Sequence, residues 1–304
     1  MSGGVLAIPG LLIGVLLAFA GGEALTRGAR ALLAGAAGLA GFAAVLATVM
    51  PELAFAMRAS ALDLPGAAVG AVAGSLTANA LIGSVIAATA VGEPVRGART
   101  FTALTALGAA ALIVAAFDGT IGQTEGGLML LAALFTAWRS ARMAADPSDA
   151  LLKSRPGPGL LWIVLGAVLI VGGAWLALEA VASLAAGRSE GDLIAGLTAL
   201  GLGAALPEIA AASVAARKGE GAQGFVNVAT GTALVLFGAL GAATLVRPLR
   251  VSDAFLGAPV IAVATSALVL LGIGLVRRRL PKAAAAVGLV AYLGFLGAFL
   301  AGVG

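Results

Sequence analysis

Glu52 and Glu208 each follow a proline in the middle of a long apolar stretch, in the contexts ATVMPELAFAM (47–57) and GAALPEIAAAS (203–213). They stand 156 residues apart in a chain of 304, one in each half. A carboxylate at bilayer depth costs ~3 kcal/mol on insertion scales, so a deep acid marks an ion or proton pathway. One divalent ion, two monovalent ions or two protons would neutralise such a pair. Empty and ionised, it is strongly disfavoured in a low dielectric. A carrier built on it would cross the membrane only when loaded, which is the logic of obligatory exchange. The same Pro-Glu in each half points to two repeats with a site between them.

The prolines add oxygen chemistry of their own. Pro51 cannot donate a backbone hydrogen bond and crowds the carbonyl of Ala47, and Pro207 does the same to Gly203. Each helix is therefore expected to break one turn before its glutamate, freeing carbonyls that can coordinate a cation. A carboxylate beside free carbonyls is the hard-oxygen environment that calcium and sodium prefer. The plainer reading, an interhelical hydrogen bond or a carboxyl kept protonated, sits poorly with a symmetric pair. The other twelve of the fourteen acids lie in loops or near span ends. Among these, Glu23, Asp118, Glu125 and Glu179 read as solvated or interfacial.

Acids at this depth require spans to carry them. The chain is 61% hydrophobic and 11% charged, with a mean hydropathy of +1.10, which excludes a soluble globular domain. It contains no Cys and no His, which excludes disulfides, thiolate chemistry and histidine relays. The net charge of +4 fits basic loops of a membrane protein and not nucleic-acid binding. The start, MSGGVLAIPG, shows no cleavable signal with a basic n-region. Apolar stretches predict ten spans near 5–22, 32–57, 66–90, 100–117, 124–141, 159–181, 193–215, 222–246, 254–276 and 283–301. The expected fold is thus an all-α polytopic membrane protein of ten transmembrane helices. The one linker-like stretch, ARMAADPSDALLKSRPGPG (141–159), falls at the midpoint. The reading is a five-helix repeat over 1–145, a cytoplasmic linker over 146–158 and a second repeat over 159–304.

Loop charges orient the spans. With the N-terminus outside, fourteen Lys and Arg fall in cytoplasmic loops and four in outer ones. An odd number of spans per repeat makes the two repeats inverted, with both termini outside. IGVLLAFAGGEAL (13–25) echoes LGAVLIVGGAWLA (165–177), each shortly before its Pro-Glu span. The expected location is a prokaryotic cytoplasmic (inner) membrane.

ATVMPE and GAALPE resemble degenerate copies of the Gly-Thr-Ser-Leu-Pro-Glu motif of the calcium/cation antiporter superfamily, the sodium/calcium exchangers and their relatives. In that family each repeat continues with a Gly-Asn-x-x-Gly-Ser-Asn stretch and a further Asn or Asp. Here Gly74 and Ser75 stand 22 and 23 residues after Glu52, and Asn79 stands 27 after it, in register with the family. In the second half ARKGEG (216–221) and Asn227-Val228 fall in register with the loop and the Gly-Asn. The departures are Val49-Met50, Ala204-Ala205, Thr230-Gly231-Thr232 in place of Gly-Ser-Asn, and Val235 where a third acid or amide would stand.

The resemblance implies a cation site of Thr48, Glu52, Ser75, Asn79, the Ala204 carbonyl, Glu208, and Thr230 or Thr232. It implies a non-enzymatic, secondary active antiporter without cofactors, working as a monomer in the lipid bilayer on inorganic cations. The expected activity is calcium export in exchange for sodium or protons. The alternatives are a monovalent cation/proton antiporter of the same fold, or a transport-inactive paralogue acting as scaffold or sensor.

Overall fold

Segments this apolar leave the backbone one way to satisfy its hydrogen bonds in lipid, which is to coil into helices. The computed structural model describes residues 3–33, 37–91, 97–144, 158–275 and 279–302. The helices are α1 (Gly3–Leu32), α2 (Ala37–Thr48), α3 (Met50–Ala61), α4 (Pro65–Ala88), α5 (Ala98–Asp118), α6 (Gln123–Ala144), α7 (Gly159–Ala185), α8 (Gly191–Arg217), α9 (Gly221–Val246), α10 (Ala258–Leu275) and α11 (Ala283–Gly302). Among the described residues eight helices are long and apolar enough to cross a membrane, and the bent pair α2–α3 makes a ninth if taken as one span. The span expected at 124–141 coincides with α6, which carries Glu125, Arg139 and Arg142 and does not reach the same apolar standard. The expected linker, 146–158, lies almost wholly outside the described residues.

The α2–α3 pair bends by 47° at Val49. Val49 N–H reaches back only three residues, to the Leu46 carbonyl at 3.2 Å, and Pro51 then opens α3 where a missing N–H costs nothing. The second half differs from expectation. The α-helix runs unbroken from Gly201 to Arg217 with Pro207 inside it, so no break precedes Glu208. Its irregular backbone lies earlier instead, in a π turn over Gly196–Leu200. A second π turn, Asn79–Gly83, interrupts α4.

Two glycine stripes set the packing. Gly14, Gly21 and Gly28 of α1 meet Gly173, Gly166 and Gly159 of α7 in antiparallel order, and a β-carbon on each α1 glycine would stand 2.7 Å from the facing glycine's carbonyl oxygen. A seven-residue period keeps one seam turned toward the partner helix along its whole length. Small residues there let backbones approach where lipid offers no hydrophobic drive for association. The second stripe, Gly66, Gly70 and Gly74 of α4, packs on Asp192, Leu193–Leu197 and Gly201 of α8. Helices α4 and α9 are enclosed almost all round, whereas α7 and α11 turn most of their surface outward.

The two ends of the bundle are unlike. At one end the loops are tied by Arg58–Glu179 (2.8 Å) and Arg247–Asp63 (3.6 Å). Gly66 N–H donates to Asp192 Oδ2 (2.8 Å), Ser252 donates to Glu190 (2.7 Å), and strands Thr120–Ile121 and Leu249–Arg250 pair antiparallel. Exposed ion pairs contribute ~0–1 kcal/mol each, so this clasp positions the loops more than it stabilises the fold. At the opposite end α1, α2, α6, α8 and α9 part around a cavity.

Candidate cation-binding site

Glu52 lies in the first turn of α3, where the helix dipole favours an anion. It is buried, and neither carboxylate oxygen has a hydrogen-bond partner. Glu208 projects from the middle of α8 with its Oε2 also buried and unpartnered. Asn79 opens the π turn of α4, a local widening that frequently marks functional positions, and its Oδ1 is buried without a partner. Thr230 of α9 adds an unpartnered, buried Oγ1.

Close contacts draw these elements together. A β-carbon on Gly231 would stand 3.4 Å from Glu208 Oε1. One on Gly83 would meet Ile209 at 3.4 Å, Val228 at 3.5 Å and Asn79 Oδ1 at 3.6 Å, so the amide sits where α4, α8 and α9 converge. Each buried acceptor left without a donor costs about 1–3 kcal/mol, more for a charged group. Four side chains contributing such oxygens form a surplus of acceptors that cations or protons would relieve.

A cavity of about 740 Å³ leads from the open end to this region. Its lining includes Thr48, Pro207, Glu208, Asn227 and Thr230, and Glu52 is not part of it. Thr48 is exposed to the cavity, and its hydroxyl donates to the Val45 carbonyl (2.7 Å) while keeping its lone pairs free. Ser75 is buried beside Gly201, where α4 and α8 cross. Ala204 is buried one turn before Glu208. Thr232 is buried and donates to the Val228 carbonyl at 2.7 Å. Of the two threonines it is therefore Thr230 that faces the cavity. Val235 is packed in the apolar core. Among the described residues no three His, Cys, Asp or Glu gather as a ready-made metal cluster. Two carboxylates with neutral oxygens suit a hard cation passing through better than a resident one.

Comparison with known proteins agrees with this geometry. The family described as sodium/calcium exchanger protein matches residues 158–301. The proposed antiporter CaxA of Alkalimonas amylolytica is 29% identical over 250 residues, covering 75% of this chain and 76% of its own. The structure of a sodium-calcium exchanger, NCX_Mj, aligns with a TM-score of 0.57 at 19% identity over 98% of both chains. That of an H+/Ca2+ exchanger, CAX, aligns with a TM-score of 0.64 at 15% identity over 98% of this chain and 89% of that one. Residues 158–301 thus resemble the sodium/calcium exchanger family, and the whole chain shares the fold of these exchangers.

The cavity of this chain is also lined by residues that the Pro-Glu motifs did not flag. Phe19, Gly22, Glu23, Thr26 and Arg30 of α1 all line it. Their spacing of three and four residues is a helical face, readable in the sequence as a polar stripe beside the glycine stripe of the same helix. Glu23, expected to be solvated or interfacial, has a side chain 62% exposed and lines this cavity.

Proposed function

We propose that the chain is a secondary active antiporter that exports calcium in exchange for protons or sodium by alternating access, built as ten spans in two inverted repeats. The observation that carries the reading is the pair of acids, Glu52 and Glu208, whose buried carboxylate oxygens lack partners, with Glu208 lining a cavity. An ionised pair so placed is costly until a cation or protons arrive, so translocation of the empty form is suppressed. The exchanger names borne by the solved structures that share the fold, and the antiporter name of CaxA, support the same chemistry.

The inverted repeat draws support from the α1–α7 seam. The echo of 13–25 in 165–177 sets an offset of 152, which makes Gly14 equivalent to Gly166 and Gly21 to Gly173. The contacts run crosswise, Gly14 to Gly173 and Gly21 to Gly166, as a twofold axis between the helices requires. Orientation follows from charge. The open mouth carries Arg30, on the basic and hence cytoplasmic side, so the cavity faces inward while the clasped end faces out.

Radioactive calcium uptake into inside-out vesicles, with imposed sodium and then proton gradients, tests the proposal. Uptake driven by either gradient supports it and names the counter-ion. A second reading, monovalent cation/proton antiport, is favoured by the apolar Val235 at the third acid's place, because two carboxylates balance two monovalent charges. Sodium or potassium flux without calcium flux in the same vesicles would select it. Flux of none of these ions would leave the scaffold or sensor alternative.

A further inference from the structure

Glu23 lines the cavity. Its neighbour Gly22 touches the break in α2–α3, where a β-carbon would stand 3.0 Å from the Pro51 ring and 3.6 Å from the Ala47 carbonyl. Glu23 is thus one residue from the helix level of the Pro51-Glu52 junction. It lines the same cavity as Glu208, and its side chain is 62% exposed. Three residues on, Thr26 also lines the cavity, is 94% buried, and has no partner for its hydroxyl. A carboxylate and an unengaged hydroxyl one turn apart on a single face form a pair of hard-oxygen donors.

The carboxylate is held by a cation of the chain itself. Arg27 Nε donates to Glu23 Oε1 at 2.9 Å, and the same guanidinium lies 5.7 Å from the centre of the Trp162 ring on α7. Arg27 therefore has a second attractive surface, the indole face, to keep it in place if Glu23 turns to another ion. The net effect is a carboxylate occupied by a tethered positive charge that a free cation can replace. Arg30, further toward the mouth, disfavours cations lingering at the entrance and leaves Glu23 as the first attractive stop.

We propose that Glu23 and Thr26 form a vestibular handover station, where an entering hard cation displaces Arg27 from Glu23 before passing to Glu208. The station rests on the antiporter reading above, and it returns to the ion path a third carboxylate of the kind absent at Val235, contributed here by α1.

The experiment uses the full-length protein in nanodiscs with terbium(III), a calcium-sized luminescent cation, excited through tryptophan. In the Glu52→Gln/Glu208→Gln double variant, terbium emission sensitised by Trp162 is expected to persist. It should fall about tenfold when Glu23→Gln is added and vanish with Trp162→Phe, a loss of ~1.4 kcal/mol of binding in the former case. Glu23→Asp should retain part of the signal. In vesicles, Glu23→Gln should raise the calcium KM much more than it lowers kcat, and Arg27→Ala should lower KM only when Glu23 is present. Emission indifferent to Glu23→Gln, or an Arg27→Ala effect that survives Glu23→Gln, overturns the station. Terbium emission that depends on Glu23 in a protein moving no ion would uphold the station and overturn the antiporter reading instead.

Discussion

Gly231 of α9 faces the carboxylate of Glu208 on α8, with room for a β-carbon 3.4 Å from Oε1 and 3.5 Å from Cγ. That is ordinary contact distance, so Gly231→Ala should fold normally and bind cations little changed. Gly231→Val pushes branched carbons at the carboxylate and excludes both water and ion from its side. We expect cation-dependent thermal stabilisation to disappear in the valine variant while the apo melting temperature changes little. Equal stabilisation of both variants by calcium would place the ion away from Glu208.

Glu52→Gln and Glu208→Gln should each abolish exchange while leaving the fold intact. A neutral amide keeps the shape and removes the charge that the cargo must balance, and it costs less at depth than an ionised acid. Stability without ions should be equal or higher, and the rise in melting temperature on adding cation, which reports ligand binding to the native state, should be lost. Transport at the wild-type rate in both variants would remove the basis of the proposed function.

The deep pair and the apolar spans were legible because each shows in a short window of sequence: an acid among apolar residues, or a run of the right length. The break at Val49 was legible for the same reason, through Pro51. Pro207 shows the limit of that rule. A proline predicts one lost hydrogen bond, but whether the helix breaks there depends on its neighbours, and α8 places its irregular turn at Gly196–Leu200 against the glycines of α4. Glu23 is exposed, as its place near a span end leads one to expect, but a residue's distance from a helix end does not reveal that the exposed side chain lines a cavity shared with Glu208. The choice of Thr230 over Thr232 required knowing which face of α9 meets α8, which no local pattern records.

Asn79 and Val235 should respond differently to an added carboxylate. Asn79 Oδ1 is buried without a partner, so Asn79→Ala should weaken cation binding by ~1–3 kcal/mol. Asn79→Asp supplies a third acid at the convergence of α4, α8 and α9, and should strengthen divalent binding or alter the membrane-potential dependence of exchange. Val235 is enclosed by apolar neighbours, so Val235→Asp buries an unpaired charge and should destabilise the protein without improving binding. Isothermal calcium titration with melting curves on the three variants decides. If both Asn79 variants match wild type, the amide serves helix packing alone.

The α1–α7 seam should tolerate no side chain. Gly21→Val would drive its branches into the Gly166 carbonyl and Ile170, at a cost of about 1–3 kcal/mol as the helices are forced apart. Gly172→Val, on the same α7 but with open space around it, is the matched control and should melt like wild type. Equal melting of the two variants would mean that the seam is not closely packed.

Accessibility of single cysteines tests the one-sided cavity and its orientation together, since the natural chain has none. Ser140 and Thr230 line the cavity, the first beside Arg142 near the end of α6 and the second near Glu208, whereas Asp63 lies exposed at the clasped end. In intact cells an impermeant thiol reagent should label Asp63→Cys and leave Ser140→Cys and Thr230→Cys untouched. In inside-out vesicles the pattern should reverse. Conditions that turn the site outward should then protect Thr230→Cys from the cytoplasmic side while Ser140→Cys stays reactive, because only the deeper position loses its access path when the cavity closes. Labelling of Ser140→Cys from outside intact cells would invert the topology. Labelling of Thr230→Cys from both sides at once would mean an open channel, and with it the end of the exchange mechanism.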